Sequence, residues 1–257
     1  MKKQRSIISS MIPVFVIIGI VILWEIISVT GLVPGYMLPS PVSVMKAFIS
    51  ELPRFAEHGK VTVIETFAGL LIGVLLGFVM AAVMDACEPI RKGIYPLLVI
   101  SQTIPTIAIA PLLILWFSYG MMPKIILVVL ASFFPIAVGL LDGYRAVDQD
   151  LVRLMRSMKA TKWQIFWHVK FPSALDEFFS GLKIAVSYSV VSAVVSEWLG
   201  GTVGLGVYMT RVKKSYSYDK MFAVIMVISL LSLLMIAIVN LIQYRSMPWR
   251  RVMQDKK

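Results

Sequence analysis

Six long apolar blocks dominate this sequence, and each is long enough to cross a bilayer as one helix. They cover roughly 12–29, 61–83, 94–117, 124–141, 178–199 and 221–242, where a span needs about 20 mostly apolar residues. Inside hydrocarbon every backbone N–H and C=O must find a partner within the protein, so only helices and closed barrels span a membrane. A barrel strand alternates polar and apolar residues, and these blocks do not. The blocks therefore predict an all-α polytopic membrane protein with six transmembrane helices. Pro105 and Pro111 interrupt the third block. Proline lacks a backbone donor and clashes with the preceding turn, so that span should be kinked or broken.

Composition excludes the main alternatives. Hydrophobic residues make up 58% of the 257 and charged ones 15%, with a mean hydropathy of +0.84. A soluble domain is about 45–50% apolar and about 25% charged, so a water-soluble enzyme, a disordered chain and a coiled coil are all poor fits. Cysteine occurs once, at Cys87, and histidine twice, at His58 and His168. That excludes an intrachain disulfide and disfavours a Cys- or His-rich metal cluster. The net charge of +11 does not point to nucleic acid, because the cations lie mostly in the short segments between blocks.

Those cations set the topology. The N-terminus reads Met-Lys-Lys-Gln-Arg and then turns apolar. The run is long, ends at Trp24-Glu25 and has no small-x-small cleavage site, so it reads as a retained first span rather than a cleaved signal. With both termini inside, the inner segments hold Lys2, Lys3, Arg5, Arg91, Lys92, Arg145, Arg153, Arg156, Lys159, Lys162, Lys170, Arg245, Arg250, Arg251, Lys256 and Lys257. The outer ones hold Lys46, Arg54, Lys60, Lys124, Arg211, Lys213, Lys214 and Lys220. The two-to-one bias follows the positive-inside rule. Arg211-Lys213-Lys214 breaks it, as either a solvated loop or a docking surface for an acidic partner.

Two segments outside the blocks carry helical signals. The stretch 39–58 reads as a short surface helix opening at Ser40-Pro41, serine capping and proline in the first turn. The inner segment from about 142 to 176 is the longest. Leu151, Leu154, Met155 and Met158 recur at helical spacing, as do Ile165, Phe166 and Val169, with cations between. It should fold as short amphipathic helices ended by Phe171-Pro172. Such helices either lie on anionic lipid or dock a soluble subunit, and periodicity does not choose.

The stretch LVRLMRSMKATKWQIFWHVKFPSALDEFFSGLKIA resembles the coupling loop of binding-protein-dependent ABC importer permeases. That family's pattern is Glu-Ala-Ala, three residues, Gly, nine residues, Ile-x-Leu-Pro. Registered on Pro172, the chain supplies Val169-x-Phe171-Pro172, places Lys159 at the glycine and Arg153-Leu154-Met155 at Glu-Ala-Ala. The likeness extends through LLIGVLLGFVMAAVMD, YPLLVISQTIPTIAIAPLLILWFSYG, FFPIAVGLLDGYRAVD and SEWLGGTVGLGVYM. It implies the type I ABC importer permease fold as one domain over 1–257, with a coupling loop at about 145–175, in the bacterial cytoplasmic membrane. It implies a second permease copy, most simply an identical one. It also implies two cytoplasmic ABC ATPase subunits that use ATP and Mg, an extracytoplasmic binding protein, and lipid around the spans. The ATPase contact would fall on Arg153, Met155, Lys159, Ala160, Trp163, Phe166, Val169 and Pro172, where a cationic Lys159 calls for an acidic partner residue. Within the family the chain is most similar to permeases for a thiamine pyrimidine precursor, with riboflavin, sulfonate, taurine and nitrate permeases as near relatives.

The chain has no Gly-x4-Gly-Lys-[Ser/Thr] stretch, no Gly-x-Ser-x-Gly elbow and no His-Glu-x-x-His, so nothing in it reads as an ATP or catalytic metal site. No cofactor is expected. A membrane-embedded transferase would want clustered carboxylates. Asp85, Glu88, Asp142, Asp148 and Asp150 are inner but lack the spacing of a metal–diphosphate site. A channel or secondary transporter would not need the inner loop.

Polar residues inside spans are costly and default to functional candidates. Ser101, Gln102, Thr103, Pro105 and Thr106 surround the proline break. They either line a pathway, where freed backbone groups must face protein or water, or simply satisfy a kink. Glu65 and Glu197 could line an outward vestibule, with Trp198 as an interface anchor, or be interfacial carboxylates reaching water. Ser187, Ser189, Ser192 and Ser196 favour close helix packing, with Ser192 and Ser196 as pathway candidates. Gly69, Gly73 and Gly77 form a small-xxx-small face that should pack against another helix. Gly200-Gly201-x-x-Gly204-x-Gly206 reads as a flexible outer turn, and the 16 methionines as apolar packing.

Overall fold

A computed structural model describes residues 2–248, with side chains from Ile12 onward. Of the orientation-setting cations, Lys2, Lys3, Arg5, Arg250, Arg251, Lys256 and Lys257 lie outside the described side chains. The elements are α1 (Lys2–Val29), α2 (Pro41–Ser50), α3 (Leu52–Ala86), α4 (Glu88–Thr103), α5 (Thr106–Phe117), α6 (Met121–Arg145), α7 (Gln149–Ser157), α8 (Lys162–Ile165), a π-helical turn (Phe166–Lys170), α9 (Phe171–Gly200), α10 (Leu205–Lys214) and α11 (Tyr218–Ser246). Five helices are long and apolar enough to cross a membrane. The pair α4 and α5, bent by 96°, makes a sixth if taken as one span.

The helix boundaries depart from the sequence expectation in three places, each for a local reason. α2 opens as expected, with Ser40 Oγ accepting from the Ser43 N–H. It ends at Ser50, however, and α3 starts at Leu52, so the second span's helix begins well before residue 61. The third block breaks only once. Ile104 is extended, as a residue before proline must be, and Pro105 caps α5. Pro111 lies within α5 without breaking it. Pro172 does not end the helix before it: a π turn joins α8 to α9, and the Phe171 N–H reaches back to Phe166 O. The wider turn relieves the crowding that proline imposes one turn upstream, so one continuous rod runs from the loop into the span.

Two compact units are defined by contacts, Met1–His58 with Tyr208–Val227, and Gly59–Val207 with Ile228–Lys257. The second unit holds the main core: Leu70, Met84, Ile136, Leu140, Leu141, Tyr144, Phe179 and Val186. Small residues bring its helices together. The glycine stripe of α3 faces α6, as expected. A methyl at Gly69 would lie 2.5 Å from Val128 Cβ, one at Gly77 2.9 Å from Ile136 Cγ2, and one at Gly73 would run into the Ser132 hydroxyl. α6 and α9 cross as closely, Gly139 and Gly143 facing the Glu177 and Ala174 backbone. In lipid such close packing replaces the hydrophobic effect as the association force.

In the first unit the Trp24 indole donates to Pro39 O at 3.0 Å and the Ser28 hydroxyl to Leu38 O at 2.9 Å. These bonds tie the 30–39 connection to α1. Glu51 is buried between Lys220, at 2.6 Å, and Arg54, at 3.0 Å.

Candidate functional site: the inner loop and a buried polar network

The loop between α6 and α9 is a corner built by capping. Asp148 Oδ1 accepts from the Asp150 N–H at 2.8 Å and starts α7. At its other end the Ala160 N–H donates to Met155 O at 3.0 Å and the Lys159 N–H to Arg156 O at 2.9 Å. This is the Schellman pattern, whose pivot residue is left-handed and usually glycine. Here the pivot is Lys159, with φ of +59°. The position where the family pattern has glycine is thus the one that needs a positive φ. Thr161 and Gln164 then form a reciprocal capping box, with the Thr161 N–H donating to Gln164 Oε1 at 2.8 Å. Beneath the corner, Val147, Val152 and Ile165 form a small core closed by Met155, Ala160 and Val169.

The coupling candidates therefore divide by direction. Met155, Ala160 and Val169 hold the corner together from inside. Arg153 is exposed, paired with Asp150 at 3.1 Å on the surface, an arrangement worth little. Trp163 is 68% exposed, alongside exposed Leu151, Leu154 and Met158. Phe166 turns inward, its ring 5.2 Å from that of buried Tyr144 on α6. Two chains of rings leave Trp163. One passes through Phe166 to Tyr144. The other runs through Trp167, at 5.5 Å, to Phe171, at 5.2 Å, and on to Phe78 of α3, at 5.9 Å. Lys170 adds a tether, donating to both Asp85 carboxylate oxygens at 2.8 and 2.7 Å from the end of α3. Tyr144, Trp167 and Phe78 were not singled out by sequence reasoning, and Asp85 was weighed there only as a carboxylate, because no local spacing signals its contact with Lys170 across 85 residues. A cavity of about 560 Å³ lies under the corner, walled by Asp85, Arg156, Lys162, Trp163, Phe166 and Lys170.

Glu65 and Glu197 are both buried, as are Ser192 and Ser196. Lys124, counted as an outer-segment cation, is buried too and donates to Glu65 Oε1 at 2.7 Å. The Thr62 hydroxyl donates to Glu197 Oε1 at 2.6 Å and accepts from the Leu205 N–H at 2.9 Å. The Gly206 N–H donates to Glu197 Oε2 at 2.6 Å. A carboxylate here caps the first turn of α10, where its charge also complements the helix dipole. This changes the meaning of the glycine-rich turn. Gly204, at φ of +143°, leaves room for the Glu197 carboxylate, and a Cβ on Gly206 would meet Val194 O. The turn is clasped, not loose. Ser196 bonds back to Ala193 O, while Trp198 is partly exposed at the end of α9. Arg211, Lys213 and Lys214 sit on the exposed face of a helix, not in a loop.

At the bend of the third span, Ser101, Gln102, Thr103 and Pro105 are exposed and Thr106 half-buried. The Ser101 and Thr103 hydroxyls turn back to Leu98 O and Ile100 O, leaving the Gln102 amide to the exposed side.

Five apolar helices of spanning length, a bent pair that makes a sixth, a capped corner tied into α3 and α6, and small-residue helix crossings make this a polytopic membrane protein. The model of the binding-protein-dependent transport system inner membrane component family matches residues 73–251, and the chain belongs to that family, the permease subunits of ABC importers. It is 36% identical over 240 residues to the formylaminopyrimidine transport permease protein ThiX of Halalkalibacterium halodurans, covering 93% of this chain and 96% of that one. It is 26% identical over 238 residues to the taurine transport system permease protein TauC of Escherichia coli, covering 90% and 86%. Among solved structures, the inward-facing MetNI methionine ABC transporter superposes with a TM-score of 0.60 at 20% identity, over 76% of this chain and 94% of that one. The likeness places the chain in the type I importer fold.

Proposed function

We propose that two copies of this chain form the membrane pathway of an importer for a small nitrogen heterocycle of the thiamine-pyrimidine class. Two cytoplasmic ATPase subunits power it and an extracytoplasmic binding protein feeds it. Both termini face the cytoplasm. ATP and Mg belong to the ATPase subunits. The heterocycle assignment leans on the formylaminopyrimidine relative, similar over nearly all of both chains. The taurine relative is less similar, and sulfonate, nitrate or riboflavin cargo is the second reading.

The observation that carries the mechanism is an exposed Trp163 on a corner braced by a capping box and a small apolar core. A partner that grips this ring moves α3 and α6 together, through Phe166 and Tyr144 on one side and Trp167, Phe171 and Phe78 on the other. The Lys170–Asp85 pair keeps the corner from swinging free of α3. Nucleotide then biases the spans because it binds one arrangement of the gripped corners better than the other. Cargo passes along the bent third span, past Ser101, Gln102, Thr103, Pro105 and Thr106, where the Gln102 amide is the exposed polar group that remains free to meet it. Glu65, Glu197, Ser192 and Ser196 hold the scaffold around it.

The test is Trp163→Ala in the reconstituted complex. Uptake per ATP hydrolysed should fall while the permease stays inserted and folded. Phe166→Ala should instead lower thermal stability, since its ring is part of the core. Unchanged uptake in the Trp163 variant overturns the grip. Uptake of a labelled aminopyrimidine against labelled taurine decides the cargo.

A further inference from the structure

The first compact unit holds a cavity of about 400 Å³, between the end of α1, the 30–39 connection and the turn from α10 to α11. Its polar walls include Ser28, Tyr36, Ser40, Tyr216, Tyr218 and Asp219. We propose that it is a binding site for a small planar aromatic amine, stacked on the Tyr216 ring with its amino group donating to Asp219.

Tyr216 is the pivot of a second Schellman turn. The Ser217 N–H donates to Val212 O at 3.0 Å and the Tyr216 N–H to Lys213 O at 3.2 Å. It takes a φ of +57°, where a bulky side chain is a strained choice and glycine the relaxed one. The ring gains nothing from burial in return, being 76% exposed. It stands instead beside Tyr218, 6.4 Å away and edge-on, at the cavity wall. Strain of this kind clusters at ligand sites, and at Tyr216 it coincides with a cavity wall.

Asp219 supplies the second half of the recognition. Its neighbour Lys220 is committed to Glu51 at 2.6 Å. Among the described residues Asp219 has no ion-pair or hydrogen-bond partner. Its carboxylate is therefore an open acceptor at the cavity. The wall opposite is fixed, because the bonds from Trp24 to Pro39 O and from Ser28 to Leu38 O hold the 30–39 connection in place. The volume lies in the range of small-molecule sites, and aromatic faces with one acceptor suit an amine-bearing ring better than a sulfonate or nitrate. With the termini inside, the connections that build the cavity face outward. The inference rests on the importer reading only for the source of the ligand, the cargo on its way in.

The probe is aminopyrimidine, with unsubstituted pyrimidine as control, titrated by equilibrium dialysis into the full chain in nanodiscs without any partner. Aminopyrimidine should bind saturably and more tightly than pyrimidine. Tyr216→Gly removes the ring and relaxes the backbone, so the variant should be at least as stable as the parent and bind about tenfold more weakly or worse, the scale of a lost stacking partner. Asp219→Asn should erase the preference for the amine. Absence of saturable binding, full affinity in the glycine variant, or an unchanged preference in the asparagine variant overturns the site. Cellular uptake separates the two ideas. Uptake of aminopyrimidine without binding counts against this cavity alone, and binding without uptake counts against the importer's cargo.

Discussion

Replacing Lys159 with glycine should tighten the corner between α7 and α8. The present residue sits at φ of +59°, where an L side chain costs about 1–2 kcal/mol relative to a right-handed conformation. Glycine removes that cost but loses more entropy on folding, an offset of about 0.4–1 kcal/mol. The net gain is about 0.5–1 kcal/mol, a two- to fivefold smaller opening constant for the corner, taking about 1.4 kcal/mol per factor of ten. Lys159→Ala is the control, because it removes the same charge and keeps the strain, and it should leave opening almost unchanged. Amide hydrogen exchange over residues 155–165 reads the opening directly. Protection should rise in the glycine variant at Lys159 N–H and Ala160 N–H, the donors of the Schellman pair. Equal protection in the glycine and alanine variants would refute the backbone argument and leave the charge as the reason for lysine.

Gly73→Val should drive a side chain into Ser132 and destabilise the α3–α6 crossing by about 1–3 kcal/mol, seen as loss of monodisperse protein in detergent. Lys124→Met strands the buried Glu65 carboxylate and should cost about 3–5 kcal/mol. Adding Glu65→Leu should restore most of that, and thermal unfolding of both variants measures it. Glu51 responds to acid. Burial, the largest single influence, works upward on its carboxyl, but the Lys220 hydrogen bond, the nearby Tyr208 hydroxyl and the charges of Lys220 and Arg54 outweigh it and hold Glu51 below the ordinary carboxylate value. Tyr208 in turn is pushed up to about 12 by burial and the Glu51 carboxylate. A lowered carboxyl stabilises the fold above its ordinary range and loses that contribution as pH falls through the folded value. Unfolding scans from neutral to acid pH should show a steeper loss in the parent than in Glu51→Gln.

Much of the inner loop was legible because its signals are local. Helical spacing acts within a few residues, and the resemblance to the family pattern places Lys159 at the glycine; the caps at Asp148 and Thr161 emerge only from the structure. The α3 glycine stripe was legible for the same reason, since a period of four marks one face of a helix. The boundaries were less so. The π turn that carries the chain past Pro172 depends on how Phe166 and Phe171 pack against Tyr144 and Phe78, which proline chemistry alone does not reveal. Glu197 and the turn at Gly204 and Gly206 look like two separate features in sequence, a polar residue in a span and a loose loop.

The sequence by itself determined that this chain crosses a membrane as helices, since apolar length and the absence of backbone partners in lipid leave no other solution. It also marked the loop at about 142–176 as short amphipathic helices, because helical spacing is a local signal. Only the tertiary structure decided which polar groups pair with one another inside the fold. Lys124 meets Glu65 across 59 residues and Thr62 meets Glu197 across 135. A buried charge is tolerated only when a partner arrives from elsewhere in the fold, and where that partner comes from is a property of packing.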